Sequence, residues 1–121
     1  MNLVNSEKSY TQIKQLIEQE TNQAGKSFTV GKFTGIGWLF IQHSPEEPAS
    51  PLIAVKQYAK TVNIYVPIDE NEPPLVEQYA QIFDKSNLGK TCIRISSLTP
   101  TRLDALKALV QKIKREAEQS A

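Results

Sequence analysis

The first twenty-five residues carry apolar side chains at steps of three and four. This spacing predicts an amphipathic helix over residues 6–23, capped by Asn5 or Ser6 and followed by Gly25 at its C-terminal end. Its apolar face comprises Tyr10, Ile13, Leu16, Ile17 and Ala24. The opposite face is rich in Lys, Gln and Glu, so we expect the helix to lie on an apolar surface with its polar side in solvent.

Two further helices are predicted in the second half of the chain. One spans about residues 74–84, with an apolar face comprising Leu75, Tyr79, Ile82 and Phe83. The other runs from Pro100 to about residue 117, because Thr99 is a favourable N-cap residue and proline suits the first helical position. Its apolar side comprises Leu103, Leu106, Leu109, Val110 and Ile113.

The segments between these helices have the composition of β-strands. The segment 36–42 (IGWLFIQ) indicates a buried strand, and 91–95 (TCIRI) a short one. Segments 51–57 and 60–66 indicate two strands joined by a tight turn at Tyr58–Ala59, which favours antiparallel pairing. In the second of them, Val62, Ile64 and Val66 alternate with Thr61, Asn63 and Tyr65. A period of two is typical of a strand with one face buried.

These elements predict a single α+β domain over residues 1–121, in the order α-β-β-β-α-β-α. The predicted architecture is an antiparallel sheet with helices packed on one face. The glycine-rich segment 25–37 is interpreted as a bent or bulged strand, and an additional strand near 28–33 remains open. We call the sheet side away from the helices the open face.

Charge is nearly balanced over the whole chain. Fourteen Lys and Arg face thirteen Asp and Glu, a net charge of +1, which argues against nucleic acid or an acidic membrane as the main partner. The segment 44–84 is acidic and 85–115 is basic, so we expect two electrostatically distinct surface regions. The chain shows no signal-peptide pattern and no apolar run of membrane-spanning length, and its one cysteine suits a reducing compartment. The expected location is cytoplasmic.

Motifs for catalysis are incomplete. Gly89-Lys90-Thr91 ends like a phosphate-binding loop, but Asp84 stands where that motif needs its first glycine, and a strand follows. His43 is the single histidine and Cys92 the single cysteine, the latter expected to be a buried, inert thiol. Neither a nucleophile with its base nor a zinc site has its set of residues. We therefore expect no enzyme, no metal site and no cofactor.

Candidate binding residues come from strand alternation. In the segment 90–95, Lys90, Cys92 and Arg94 share a face opposite Ile93 and Ile95, which places two cations on the open face. Tyr65 is expected near them. Trp38 is interpreted first as a core residue and alternatively as part of a ligand pocket or dimer interface. The predicted ligand-binding set is therefore Lys90, Arg94, Tyr65 and Trp38. The partner would be another protein, a second copy of the chain or a small anionic ligand.

Three segments together resemble the YdhG-like proteins, a bacterial family largely of unknown function. They are 52–66 (LIAVKQYAKTVNIYV), 79–95 (YAQIFDKSNLGKTCIRI) and 98–110 (LTPTRLDALKALV). The resemblance covers about residues 30–113 and implies a compact α+β domain with a helix-packed antiparallel sheet. Some members of the family are compared with frataxin and proposed to carry iron. The alternative function implied by the resemblance is thus an iron carrier using acids of Asp69–Glu72 or of the first helix.

Overall fold

One antiparallel sheet and one layer of helices form the part of the chain that the structure describes. The computed structural model describes residues 2–30, 32–42, 44–46, 49–66, 73, 75–84, 88–89 and 92–120. The elements in chain order are α1 (Asn2–Thr21), β1 (Lys26–Val30), β2 (Phe33–Ile41), β3 (Ser50–Gln57), β4 (Val62–Tyr65), α2 (Leu75–Phe83), β5 (Cys92–Ile95) and α3 (Pro100–Ser120).

The sheet is a meander in which the five strands lie in chain order, each antiparallel to its neighbours. The predicted α+β class is confirmed, and the additional strand of the glycine-rich segment is β1. It pairs with β2 from Lys26 opposite Gly37 to Val30 opposite Phe33. The hairpin of β3 and β4 is closed by the Tyr58 N–H, which donates to the Thr61 carbonyl at 2.8 Å.

The hydrophobic core lies between the helices and one face of the sheet. Alternate strand positions supply its sheet side, namely Trp38, Ile53, Val55, Val62, Ile64, Ile93 and Ile95. The helices supply Ile13, Ile17, Phe83, Leu106, Leu109, Val110 and Ile113. Helix α1 contacts β2, β3, β4 and α3, while α2 contacts β5 and α3. The apolar faces of the helices and the alternating apolar positions of the strands therefore meet in the same layer. Such agreement between local patterns and the overall fold favours a single folded state.

The ends of α1 differ from the prediction. The helix begins at Asn2, so Asn5 and Ser6 lie inside it and do not cap it. It ends at Thr21, and Asn22 follows with a φ of 56°. Asparagine tolerates this left-handed conformation because its short side chain can bond locally, so it takes the C-terminal position expected for Gly25. Ala24, which lies beyond the end of the helix, is exposed.

Strand β2 changes face at Leu39. This residue has a φ of 56°, which disrupts the alternation of side chains along the strand. Trp38 belongs to the core and Leu39 packs against it, whereas Phe40 contacts Phe28 on the open face. The N–H of Leu39 donates to Gln23 Oε1 at 3.3 Å. The exception at Leu39 brings an extra aromatic ring to the open face.

Candidate functional site

Strand positions between the core positions form the open face. The pairing register places Lys26, Gly37, Ala54, Tyr65 and Cys92 in one row across the sheet. The adjacent row contains Phe28 and Gly35 on β1 and β2, and Lys56, Asn63 and Arg94 on β3 to β5. Residues from all five strands therefore share one surface.

Four half-buried aromatic residues of the open face form a series of ring contacts. The ring centroids of Phe40 and Phe28 are 6.2 Å apart, those of Phe28 and Phe33 5.6 Å, and those of Phe33 and Tyr65 5.1 Å. The first and third pairs are nearly perpendicular, at 82° and 84°. Edge-to-face packing is favoured by the ring quadrupoles. We call Phe28, Phe33, Phe40 and Tyr65 the aromatic strip.

Two glycines of β2 make room for the strip. A Cβ atom at Gly35 would lie 3.1 Å from Phe33 Cε1 and 2.9 Å from the Val55 carbonyl oxygen. A Cβ atom at Gly37 would lie 2.7 Å from Pro51 Cγ and 3.2 Å from Phe40 Cζ. Glycine in a strand often marks such a close approach. Because these two positions have no side chains, Phe33 and Phe40 can lie over the backbone of their own strand.

Cations accompany the strip. Lys56 Nζ lies 5.0 Å from the centroid of the Phe33 ring and 5.3 Å from that of Tyr58, within cation–π range. Arg94 Nη1 lies 3.8 Å from Cys92 Sγ, and Lys26 stands exposed on the edge strand β1. The residues assigned to the five strands include no Asp or Glu. The charged residues of the strands are therefore all basic.

Hydroxyl and amide groups surround the end of the strip at Tyr65. Its hydroxyl lies 3.4 Å from that of Tyr58, and Asn63 Nδ2 donates to it at 3.4 Å. The Thr61 hydroxyl donates to Asn63 Oδ1 at 3.1 Å, which orients the amide. Burial raises the pKa of Tyr65, the hydrogen bond with Tyr58 raises it further, and the bond with Asn63 lowers it. The phenol is neutral at physiological pH and available as a hydrogen-bonding group.

The predicted binding residues are divided between the two faces of the sheet. Tyr65 and Arg94 lie on the open face, and Lys90 lies outside the described residues. Trp38 is 0% exposed and belongs to the core. The pairing of Trp38 with Ile53 directs both side chains to the helices, so Trp38 lies apart from the open face, as in its first interpretation as a core residue. Cys92 is half-buried on the open face and not a core thiol.

Sequence reasoning missed most of the strip and Lys56. A signal was present: Phe33, Gly35 and Gly37 alternate, which places a ring and two empty positions on one face. Lys56 lies two residues after Ala54, so strand alternation places both on the same face. The contact of Phe33 with Tyr65 had no local signal, because it depends on how the strands pair.

Several predictions concern residues that the structure leaves undescribed. Asp69–Glu72 and His43 are among them, as are Lys90 and Thr91 of the incomplete phosphate-loop motif. Within the described ranges, no group of three or more His, Cys, Asp or Glu side chains lies together. The iron site and the separation into acidic and basic surfaces stay predictions. No helix in the described part of the chain is long and apolar enough to cross a membrane.

Comparisons of the chain with protein-family models, with curated proteins and with solved structures gave no match. The resemblance to the YdhG-like family over residues 30–113 therefore stays a prediction.

Proposed function

We propose that this protein is a non-enzymatic binding module that takes an anionic partner on the open face of its sheet. The observation that carries the proposal is the aromatic strip beside Lys56, in strands without an acidic residue. Aromatic residues and Arg are enriched in the centres of binding interfaces, and Lys, Asp and Glu are depleted there. The open face shares the aromatic residues, Arg94 and the absence of acids in its strands, and its basic side chains, including Lys26 and Lys56, would be complementary to a negative partner.

The same charges disfavour a second copy of the chain on this face. A two-fold dimer brings identical patches together, so a face whose strand charges are Lys26, Lys56 and Arg94 would oppose a second face of the same sign. The strands supply no carboxylate to pair with them. Of the three partner classes predicted from the sequence, an acidic protein or an anionic ligand fits this surface better than a homodimer.

The proposal also includes a cytoplasmic location and membership in the YdhG-like family. The first is supported by the single, unpaired thiol of Cys92, which suits a reducing compartment. The second is supported by the helix-packed antiparallel sheet that the resemblance implies. An iron carrier stays the alternative from the resemblance, with acids of Asp69–Glu72 or of the first helix as its candidate ligands.

Titration of the isotope-labelled protein by NMR tests the binding surface. Three polyanions serve as probes: tripolyphosphate, a polyglutamate peptide and oligothymidylate. We expect at least one to shift the side-chain amide of Asn63 and the backbone amide of Gly35, with little change in α3. Lys56→Gln should weaken this effect. Lys107→Gln is the matched control, since Lys107 is exposed on α3.

Three results would contradict the proposal. The first is the absence of shifts with all three probes. The second is a set of shifts confined to the helices, and the third is an effect of Lys107→Gln as large as that of Lys56→Gln. Each would mean that the open face is not where anions bind.

A further inference from the structure

The aromatic strip has a second property besides its charge: it offers several flat rings in sequence. Its rings follow one another at 5.1 to 6.2 Å across β1, β2 and β4. Each residue is half-buried and keeps part of its surface in solvent. Proteins that hold single strands of nucleic acid combine aromatic rings, on which successive bases stack, with basic groups along the backbone.

We propose that the anionic partner is single-stranded nucleic acid, with bases on the aromatic strip and phosphates at the strand cations. This inference rests on the proposed function and specifies its ligand. An acidic protein has charge in common with a nucleic acid strand but no series of planar rings. The strip therefore favours the nucleic acid.

The basic side chains of the sheet lie where a nucleic acid strand bound across the aromatic strip would place its phosphates. Lys56 on β3 and Arg94 on β5 flank β4, from which Tyr65 projects. At the other edge, Lys26 lies two residues from Phe28 on β1. The rings thus lie between basic groups on both sides. Lys56 Nζ lies 5.0 Å from the centroid of the Phe33 ring, so its ammonium group can move from the ring to the phosphate of a nucleotide bound at the strip.

The shape of the face favours a single strand over a duplex. The major groove of DNA admits a helix or a two-stranded ribbon, whereas this face is five strands wide. A duplex also keeps its bases stacked on one another and out of reach of a flat surface. Unpaired bases can be splayed out onto aromatic side chains.

This proposal departs from the expectation drawn from the net charge. That expectation used the total charge of +1. In the structure, most of the acidic residues that are described lie on helices, including Glu7, Glu18 and Glu20 on α1. The charged residues of the strands are all basic. The total charge therefore conceals a basic sheet.

Fluorescence anisotropy with labelled oligothymidylate and oligouridylate of about 12 nucleotides tests the inference, a length within the site sizes of single-strand binders. Phe33→Leu keeps an apolar side chain but removes the ring, and should weaken binding about tenfold. Lys56→Gln should reduce the slope of log K against log salt by about 0.7, the value for one phosphate contact on a single strand. Lys107→Gln should change neither quantity. Thermal melting of each variant confirms that it is folded.

The outcomes separate this inference from the proposed function. Binding of polyglutamate or tripolyphosphate on the open face without binding of either oligonucleotide overturns the nucleic acid assignment and leaves the binding module standing. Oligonucleotide binding that Lys107→Gln weakens as much as Lys56→Gln also overturns it. No binding of any polyanion overturns both.

Discussion

The ring of Phe33 on β2 meets the ring of Tyr65 on β4 edge to face, with 5.1 Å between centroids and 84° between planes. These strands are not hydrogen-bonded to each other, because β3 lies between them. On β3, the residue opposite Tyr65 is Ala54, which contributes only a methyl group. The small side chain of Ala54 leaves room for the two rings. Side-chain packing therefore connects β2 and β4, which share no backbone hydrogen bonds.

A double-mutant cycle measures this contact. Phe33→Leu and Tyr65→Leu together should destabilise the protein by less than the sum of the single changes, with a coupling of about 0.5–1.5 kcal/mol beyond area burial. Urea unfolding followed by circular dichroism supplies the free energies. Phe33→Leu combined with Tyr79→Leu is the control, since Tyr79 lies on α2 in the helical layer. Additive effects for the Phe33 and Tyr65 pair would show that the rings do not support each other.

The phenol of Tyr65 should make stability depend on alkaline pH. Burial raises the pKa of Tyr65 above 10.0, and the hydrogen bond with Tyr58 adds to this. The folded protein then holds the phenol proton more tightly than the unfolded chain. This contribution is complete below pH 10.0 and is lost as the pH rises through the folded-state pKa. Tyr65→Phe should therefore give a shallower decline of the unfolding free energy above that pH.

Tyr10 supplies the comparison for this titration. Burial raises its pKa as well, with a smaller contribution from Glu18. Tyr10→Phe should remove a separate part of the decline, and the two variants should combine additively because the residues lie on opposite sides of the sheet. A decline in Tyr65→Phe as steep as in the unchanged protein would mean that the Tyr65 phenol titrates equally in both states.

The strip also depends on the absence of a side chain at Gly37. A Cβ atom there would lie 2.5 Å from Pro51 Cβ, and the proline ring cannot rotate away. Gly37→Ala should cost about 1–3 kcal/mol of stability through overpacking. Pro51→Gly removes the obstructing ring, so the double variant should lose less than the sum of the two single losses. Full additivity in denaturant unfolding would contradict the contact.

Much of this fold follows from local sequence patterns. The positions that were predicted incorrectly show which features such patterns do not determine. Val62 and Ile64 alternate with polar or aromatic neighbours, so the buried side of β4 was evident. The end of α1 was misplaced because Asn22 and Gly25 are both able to take a left-handed conformation. Only packing decides which of the two residues ends the helix. Glycine is needed at position 25 for a different reason, because a Cβ atom there would lie 2.7 Å from Trp38 Cζ2.

The site was half predictable for a related reason. Arg94 and Tyr65 were each placed on the open face by the alternation of side chains within their own strands, β5 and β4. In β2 both faces carry apolar residues, so alternation does not distinguish the two faces. The φ of 56° at Leu39 then interrupts the alternation, so that Phe40 lies on the open face although Trp38 lies in the core. The faces of Trp38 and Phe40 therefore follow from the backbone at one residue. The line of aromatic rings further requires strand pairing, which no local pattern contains.

Trp38 provides a test of its position in the core. It is 0% exposed, and its indole Nε1 has no hydrogen-bond partner within the described part of the chain. Trp38→Phe removes that buried N–H without breaking a bond, so it should cost about 1–2 kcal/mol, less than the 3–5 kcal/mol typical of Trp→Ala. Anion binding in the NMR titration should be unchanged in Trp38→Phe. A loss of binding with retained stability would place Trp38 in the site after all.

On the helical side, Arg102 joins the start of α3 to the end of α2. Its Nε donates to the Ile82 carbonyl at 3.0 Å, and its Nη1 donates to the Ser97 carbonyl at 2.8 Å and to the Ser97 hydroxyl at 3.0 Å. Nη2 lies 3.5 Å from Asp84 Oδ2. The Arg102 side chain is 13% exposed and that of Asp84 71%. The hydrogen bond to the Ile82 carbonyl is part-buried, whereas the two bonds to Ser97 and the Asp84 carboxylate are exposed to water.

Arg102→Ala should accordingly destabilise the protein by about 2–3 kcal/mol, because hydrogen bonds from a charged donor are strong and the carbonyls lose their partner. Arg102→Lys should recover only part of this loss, since an ammonium group cannot reproduce the planar set of donors. Asp84→Asn is the control, and it should cost under about 1 kcal/mol because an exposed ion pair contributes little. Asparagine also tolerates the φ of 63° at this position. If urea unfolding gave equal losses for Asp84→Asn and Arg102→Ala, the ion pair and not the carbonyl bonds would hold these helices together.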